Sequence, residues 1–334
     1  VTPEFALIDR FFTRNTADAR VRLGVGDDCA LIDPTPGKSL AISTDTLVSG
    51  VHFFPDAEPE ALGHKALAVN LSDLAAMGAT ARAFTLALTL PNVDEAWLAA
   101  FARGLLALAD QHGCALIGGD TTRGPLSLTL TVFGQVDASQ ALRRDRAQAG
   151  DDVWLSGSVG GAALALAHLQ GTLSLAPNVL PRALARLHRP QPQLALGARL
   201  LGIANAAIDV SDGLVADLGH IARRSGLSAA IDWQRVPLHP SLLSVAPDIR
   251  HQCALSGGDD YELCFTADPA RRVEIESFAS ALGVAITRIG YMHAAPHAAG
   301  SALVTVRDAN GAPLTLSRTG YDHFAASANA EVGA

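Results

Sequence analysis

Residues 40–53 read LAISTDTLVSGVHF. An apolar, β-prone run ends in Ser-Thr-Asp, and a glycine follows that lets the backbone turn or approach a ligand closely. The spacing predicts a strand over 40–45 that ends in polar residues, then a helix over 59–77 with Leu62, Ala66, Val69 and Leu74 near helical spacing. A weakly alternating, β-prone run follows at 83–90. The clearest helix spans 94–112, where Asp94 and Glu95 favour the start and Gly113 the end. Strands are expected at 114–118 and 126–136, the second alternating through LSLTLTVFG.

Composition shifts at 137–151, DASQALRRDRAQAGD, a charged and weakly apolar stretch. A boundary is expected there, between a part covering 1–138 and a part covering 149–334. Beyond it the pattern gives a strand at 152–156, helices at about 160–170 and 191–202, a strand near 206–210 and a helix at 214–225. Strands at 228–232 and 262–267, a helix at 270–282 and a strand at 284–290 complete it. Strands and helices intermix without a strict βαβ beat, so the fold class is mixed α/β, α+β-like rather than doubly wound.

The chain has 334 residues, 49% hydrophobic and only 17% charged, so extended disorder is disfavoured and two domains are expected. With 25 basic against 33 acidic residues the formal charge is −8, which argues against nucleic acid or anionic lipid as a partner. Mean hydropathy is positive, yet the longest uncharged stretch, Val153–Pro181, is broken by Ser156, Gly157, His168 and two prolines. No run of ~20 mostly apolar residues spans a membrane. The N-terminus lacks a signal-peptide pattern and begins with Val1, so a trimmed, cytoplasmic chain is expected. Cys29, Cys114, Cys253 and Cys264 lie far apart and are expected to be reduced, buried small hydrophobes.

No GxxxxGK[ST], GxSxG or HExxH is present, so a P-loop, a nucleophilic serine and a zinc site have no support. What recurs is an apolar run ending in a short Gly/Ser/Thr segment that carries Asp. The instances are GVGDDCAL (Asp27, Asp28), STDTLVSGVHF (Asp45), NLSDLAAMGA (Asp73), LIGGDTTRGPL (Asp120), IDVSDGL (Asp209, Asp212) and SGGDDYELCF (Asp259, Asp260, Glu262). Any one of them reads more readily as a turn or cap, because Asp bonds nearby backbone N–H groups. Six in a charge-poor chain are harder to explain that way. If they converge, their carboxylates repel unless cations lie between them. Oxygen ligands without His or Cys select Mg²⁺, which bridges to phosphate oxygens.

In this order, GDDCA, STDTLVSGVHF, NLSDLAAMGA, GGDTTRG and SGGDDYELCF resemble the motifs of the thiamine-monophosphate kinase family, within the superfamily of aminoimidazole ribonucleotide synthetase and selenophosphate synthetase. The resemblance runs from EFALIDRFF at 4–12 to GYDHF at 320–324. It implies a two-domain aminoimidazole ribonucleotide synthetase-like fold, with an N-terminal sheet that forms a barrel with a second subunit's in a homodimer. A C-terminal α/β domain would close over the cleft. It implies ATP as phosphoryl donor, thiamine monophosphate as acceptor and several Mg²⁺ ions. Carried over position by position, Asp28, Ser43, Thr44, Asp45, Asp73, Asp120, Asp209 and Asp212 match metal positions, and the reaction is expected to depend most on Asp45, Asp120 and Asp212. Gly119, Asp120, Arg144 and Ser211 match ATP contacts; His52, Asp259 and Tyr321 match positions near thiamine phosphate. The chain departs from the family at Asp259, where relatives carry Glu, and at Arg146, where glycine is common.

Residue chemistry adds detail. Asp27 reads as a turn cap beside Asp28. Asp73 falls in a helix, where Asp has poor propensity, so a reason beyond folding is expected. Lys65 and Arg123 read either as phosphate contacts or as surface charges. Cys29 is rejected as a nucleophile, because neighbouring carboxylates would raise its pKa. The expected mechanism is direct in-line transfer, without a strong base, because the acceptor phosphate ionises with a second pKa of about 6. Two rivals are another ATP-dependent enzyme of the superfamily and a noncatalytic ATP-sensing dimer. A selenide enzyme would carry a reactive Cys in a mobile N-terminal segment, whereas the first Cys here sits inside a motif.

Overall fold

The computed structural model describes residues 4–14, 16, 18–294 and 302–321, so the last three residues of GYDHF lie outside it. The first part holds α1 (Glu4–Phe11), a short pair β1 (Val21–Leu23) and β2 (Leu31–Ile32), then β3 (Ser39–Val48), α2 (Pro59–Ala76), β4 (Thr80–Leu90), α3 (Glu95–His112), β5 (Ala115–Arg123) and β6 (Ser127–Val136). The last four of these strands form one sheet in the order β3-β6-β4-β5. β6 runs antiparallel to both β3 and β4, while β4 and β5 are parallel and need a crossover, which α3 supplies.

The alternation in LSLTLTVFG becomes a two-faced strand. Leu128, Leu130 and Val132 are fully buried under the helices. Thr129 and Thr131 face the other way and pair their hydroxyls with Thr46 and Thr44 of β3, 2.9 Å each. Among the described residues no helix covers that second face, and Leu40 and Ile42 on it are 53% and 59% exposed.

α2 starts where Glu58 accepts the Glu60 and Ala61 N–H groups, with Pro59 in the first turn. It is apolar almost all round because it is buried almost all round. It packs on α3 at backbone distance. A Cβ on Gly104 would sit 1.8 Å from the Glu60 carbonyl, so only glycine fits there.

The second part holds β7 (Asp152–Ser156), α4 (Gly161–Leu169), α5 (Leu180–His188), α6 (Leu194–Arg199), β8 (Ala206–Asp209), α7 (Leu214–Ser225), β9 (Leu227–Asp232), α8 (Pro247–Ser256), β10 (Leu263–Ala267), α9 (Arg272–Leu282), β11 (Ile286–Ala294) and β12 (Val304–Arg307). The sheet order is β12-β9-β11-β7-β10-β8, antiparallel except for the β12–β9 pair. Both faces are covered, which explains its unbroken apolar strands. Val153, Leu155 and Cys264 enter one core, while Trp154, Leu263 and Phe265 enter the other. The second core also takes Ala75 and Ala76, so the end of α2 is wedged between the two sheets. Among the described residues no helix is long and apolar enough to cross a membrane.

Four expectations are corrected. The STD and GGD segments do not end their strands: β3 continues to Val48 and β5 to Arg123, because both pair along their length with β6 and β4. The helix expected over 191–202 shrinks to α6, and α1, α5 and α8 were not anticipated; only α8 lacks a periodic signal, whereas Leu180, Ala183, Leu184 and Leu187 of α5 stand at helical spacing and were passed over. Cys29 is exposed, unlike the other three cysteines. Asp260 and Glu262 do not reach a rim. They are 1% and 2% exposed, turned inward toward the Gly160 N–H and toward Ser156, Arg186 and Gln193.

Candidate active site

A cavity of about 1000 Å³ opens between the two sheets. β3 supplies Thr44 and Asp45, and the loop after it His52. α2 supplies Lys65, Val69 and Asp73, spaced four residues apart and so on one helix face. The end of β8 and the turn after it supply Asp209, Ser211 and Asp212, and the 257–261 loop supplies Asp259 and Tyr261. Tyr321 closes the rim, its backbone N–H donating to the Asp212 carbonyl at 2.9 Å.

The carboxylate end is built by small polar residues. The buried amide of Asn70 accepts the Asp45 N–H at 3.1 Å and donates to the Ala66 carbonyl at 2.9 Å, which pins β3 to α2. Ser43 donates to Asp73, and Ser72 donates to Asp209 at 2.8 Å. Burial, then the charge of Asp73, pushes the Asp45 carboxyl up to about 6. Burial and the same neighbour push Asp209 up to about 7, while burial raises Asp73 against the bond from Ser43 and the charge of Arg144. Three carboxylates are thus held at a cost that a cation would relieve. Among the described residues no three His, Cys, Asp or Glu side chains form a closed metal cage. Mg²⁺ does not need one: it keeps waters and is held by one or two carboxylates together with substrate phosphates. The donor set fits that ion.

The turn after β8 is held from below. Asp217, 2% exposed on α7, accepts the N–H groups of Ser211, Asp212 and Gly213, each at 3.1 Å. Burial, with the charges of Asp209 and Asp212, pushes its carboxyl up to about 8. Asp259 and Tyr261 occupy left-handed backbone, φ 66° and 51°, which is costly for residues with a Cβ. The loop is fixed there by Asp259 N–H to the Ser211 carbonyl and Tyr261 N–H to the Val210 carbonyl, 2.8 Å each. Lys65, only 5% exposed, donates to Asp259 at 3.0 Å, and the Tyr261 hydroxyl donates to the other Asp259 oxygen at 3.0 Å. His52 accepts the Val48 N–H on Nδ1 at 3.0 Å, which leaves its proton on Nε2.

Thr44, Asp45, Asp73, Asp209, Ser211, Asp212, His52, Asp259 and Tyr321 therefore come together. Ser43 stands behind Asp73. Arg144 is exposed on the connecting segment, its charge felt by Asp73 and Asp209. Asp28, Gly119 and Asp120 do not line the cavity. Asp28 lies in an exposed turn, where Asp27 accepts its N–H at 2.8 Å, as expected of a cap. Gly119 has φ 149° and no room for a Cβ, which would sit 1.9 Å from the Leu86 carbonyl. Asp120 is in register with Ala87, Thr129 and Thr46 on the open sheet face, at the opposite edge from β3. Three strand spacings, about 14 Å, separate the strands of Asp45 and Asp120. Arg123 is exposed, and Arg146 keeps ordinary negative φ, so its departure from glycine strains nothing.

Asn70 and Asp217 were missed, and Lys65, open between a phosphate contact and a surface charge, turns inward. Asn70 and Asp217 sit in otherwise apolar helical stretches, as Asp73 does, and that was the available signal.

Residues 26–136 match the model of the AIR synthase related protein N-terminal domain, and residues 148–301 that of the C-terminal domain. The thiamine-monophosphate kinase of Salmonella typhimurium is 48% identical over 325 residues, covering 96% of this chain and 98% of that one. The crystal structure of thiamine-monophosphate kinase from Stenotrophomonas maltophilia superposes with a TM-score of 0.84 at 49% identity, over 91% of this chain and 96% of that one. AaThiL complexed with AMPPCP and TMP superposes with a TM-score of 0.74 at 28% identity, over 87% and 89%.

Proposed function

The chain belongs to the thiamine-monophosphate kinases of the AIR synthase-related family, and from that premise we propose that it transfers the γ-phosphoryl group of ATP to the phosphate of thiamine monophosphate, giving ADP and thiamine diphosphate. The observation that carries this is a single cleft holding both kinds of group the reaction needs. Buried Asp209 and half-buried Asp45 and Asp73 form a carboxyl array, and a Lys65–Asp259 pair lies about 12 Å of helix rise along α2 from Asp73. The AaThiL complex with AMPPCP and TMP supports the same pair of substrates.

The Thr44 hydroxyl is turned to the open sheet face, where it pairs with Thr131, while Asp45, Asp73, Asp209 and Asp212 would hold Mg²⁺. Bound there, it supplies the positive charge that lets one phosphate approach another. The chain's own residues set the geometry. Asn70 fixes the backbone at Asp45, Ser43 and Ser72 orient Asp73 and Asp209, and Asp217 holds the Ser211–Gly213 turn against which the nucleotide is placed. His52 offers Nε2–H to the acceptor, and Asp259 and Tyr321 flank it. No side chain has to remove a proton, because the acceptor oxygen is already largely ionised at pH 7.

Asp120, Gly119 and Asp28 enter this reading through a second copy. The uncovered sheet face, with exposed Leu40 and Ile42, is the surface on which two chains would pair. The segments 1–138 and 149–334 would act as the two walls of the cleft, and the partner subunit's Asp120 would complete the metal set.

Phosphorus NMR of the protein with ATP, MgCl₂ and thiamine monophosphate tests the reaction. Equal amounts of thiamine diphosphate and ADP, formed only with Mg²⁺, are expected. ADP and free phosphate without thiamine diphosphate would refute the acceptor, and intact ATP would refute the kinase reading in favour of a sensor.

A further inference from the structure

Lys65 is the feature the fold explains least. Lysine is rarely buried unless paired, and a buried ion pair is no better for stability than apolar side chains of the same volume. Lys65 sits in α2, among buried apolar neighbours, with 5% of its surface exposed. Its partner Asp259 stands on the left-handed 257–261 loop and keeps 28% of its side chain exposed to the cleft. The sequence could have placed an apolar residue at 65 with less desolvation. It places instead an ammonium on the cleft-facing stripe of α2, two helical turns before Asp73.

Resting on the acceptor reading above, we propose that Lys65 is a substrate-binding residue that selects a phosphorylated acceptor. Its ammonium binds the acceptor's monophosphate, and the Asp259 carboxylate faces the acceptor's cationic ring. The two ends of the substrate match the two members of the pair. A phosphate dianion replaces Asp259 beside Lys65, a thiazolium cation replaces Lys65 beside Asp259, and neither buried charge is left alone. A lysine suits a terminal phosphate as a mobile point charge. The Tyr261 hydroxyl, bonded to the second Asp259 oxygen, keeps that carboxylate in place when Lys65 shifts its bond.

The test crosses a change in the protein with a change in the ligand. Thiamine monophosphate and unphosphorylated thiamine are titrated calorimetrically, in MgCl₂, into the wild type, K65M, K65R and D259N. The wild type is expected to prefer the phosphorylated ligand. K65M is expected to lose about 10–100-fold in affinity for thiamine monophosphate, the scale of one charged hydrogen bond, with thiamine binding unchanged. K65R should recover part of the preference. D259N, whose change lies on a partly exposed loop, should weaken both ligands while keeping the preference for phosphate. A purely structural role for Lys65 predicts equal losses for both ligands in K65M, and that result overturns the proposal. Should K65M not fold, loss of the phosphate preference in D259N overturns it as well, because Lys65 is still present there. A wild type that binds neither ligand overturns the acceptor reading itself and this assignment with it; a wild type with the preference and a K65M that retains it overturns only the role of Lys65.

Discussion

Removing the Asp217 carboxyl separates the fold of the second part from the shape of its cleft-lining 211–213 turn. In D217A three backbone N–H groups lose their acceptor. That of Gly213 is buried, and those of Ser211 and Asp212 are half-buried. At about 2 kcal/mol for the buried donor and about 1 for each of the others, the variant should lose about 4 kcal/mol in urea unfolding. D217N keeps an oxygen in place. Because the Asp217 carboxyl is pushed up to about 8, it is largely neutral at pH 7 and an amide differs little from it in charge. D217N should therefore cost about 1 kcal/mol or less. The turn carries Ser211 and Asp212, so affinity for a nonhydrolysable ATP analogue, measured by calorimetry in MgCl₂, should fall at least tenfold in D217A and stay within a few-fold in D217N. Equal losses in the two variants would refute the role of the accepting oxygen. Lost stability with unchanged nucleotide affinity would refute the link from Asp217 to the site.

Three further outcomes follow from the geometry. D45N and D120N should each lower kcat sharply while leaving the fold intact, and mixing the two inactive proteins under subunit exchange should restore activity if Asp120 acts across the dimer. Half the dimers are then mixed and one of their two sites is intact, so recovery should approach about a quarter of wild type; no recovery refutes the crossing. The second outcome concerns pH. Asp45 and Asp209, with folded values of about 6 and 7, sit above their unfolded value near 4. Their contribution to metal-free stability is full below about pH 4 and is lost as pH rises through 6 to 7. Mg²⁺ favours the ionised form, so it should oppose that loss, and its apparent affinity should rise over the same range. Unfolding curves in EDTA and in MgCl₂ that stay parallel from pH 5 to 8 would contradict this. The third concerns the open sheet face: if two copies pair there, I42D, at a position 59% exposed, should yield a monomer in sedimentation where the wild type gives a dimer, and unfolding that no longer depends on protein concentration; equal sedimentation of the two proteins refutes that pairing.

Much of this architecture is legible in one sequence because β6 alternates plainly and the strands of the second sheet stand out as short unbroken apolar runs. LSLTLTVFG gives a buried leucine face and an open threonine face, and α3 announces its ends with Asp94 and Gly113. Poor-propensity Asp73 marks the face of α2 that lines the cleft. What is hidden is neighbourhood across the sheet. GGD and STD look alike along the chain, yet β3 and β5 lie at opposite edges and their aspartates on opposite faces. In SGGDDYELCF three acidic residues look equivalent. Only Asp259 faces the cleft, because Asp260 and Glu262 meet partners in β7, in α5 and at Gly160 just before α4, all over sixty residues away. Lys65 could be read either way until Asp259 was placed beside it.

The central claim is that an acidic cleft accepts a polyanionic nucleotide only in company with Mg²⁺. Calorimetric titration of a nonhydrolysable ATP analogue into the wild type, once in MgCl₂ and once in EDTA, tests it most directly. The account predicts saturable binding with Mg²⁺ and its loss in EDTA; equal affinity in both would contradict it.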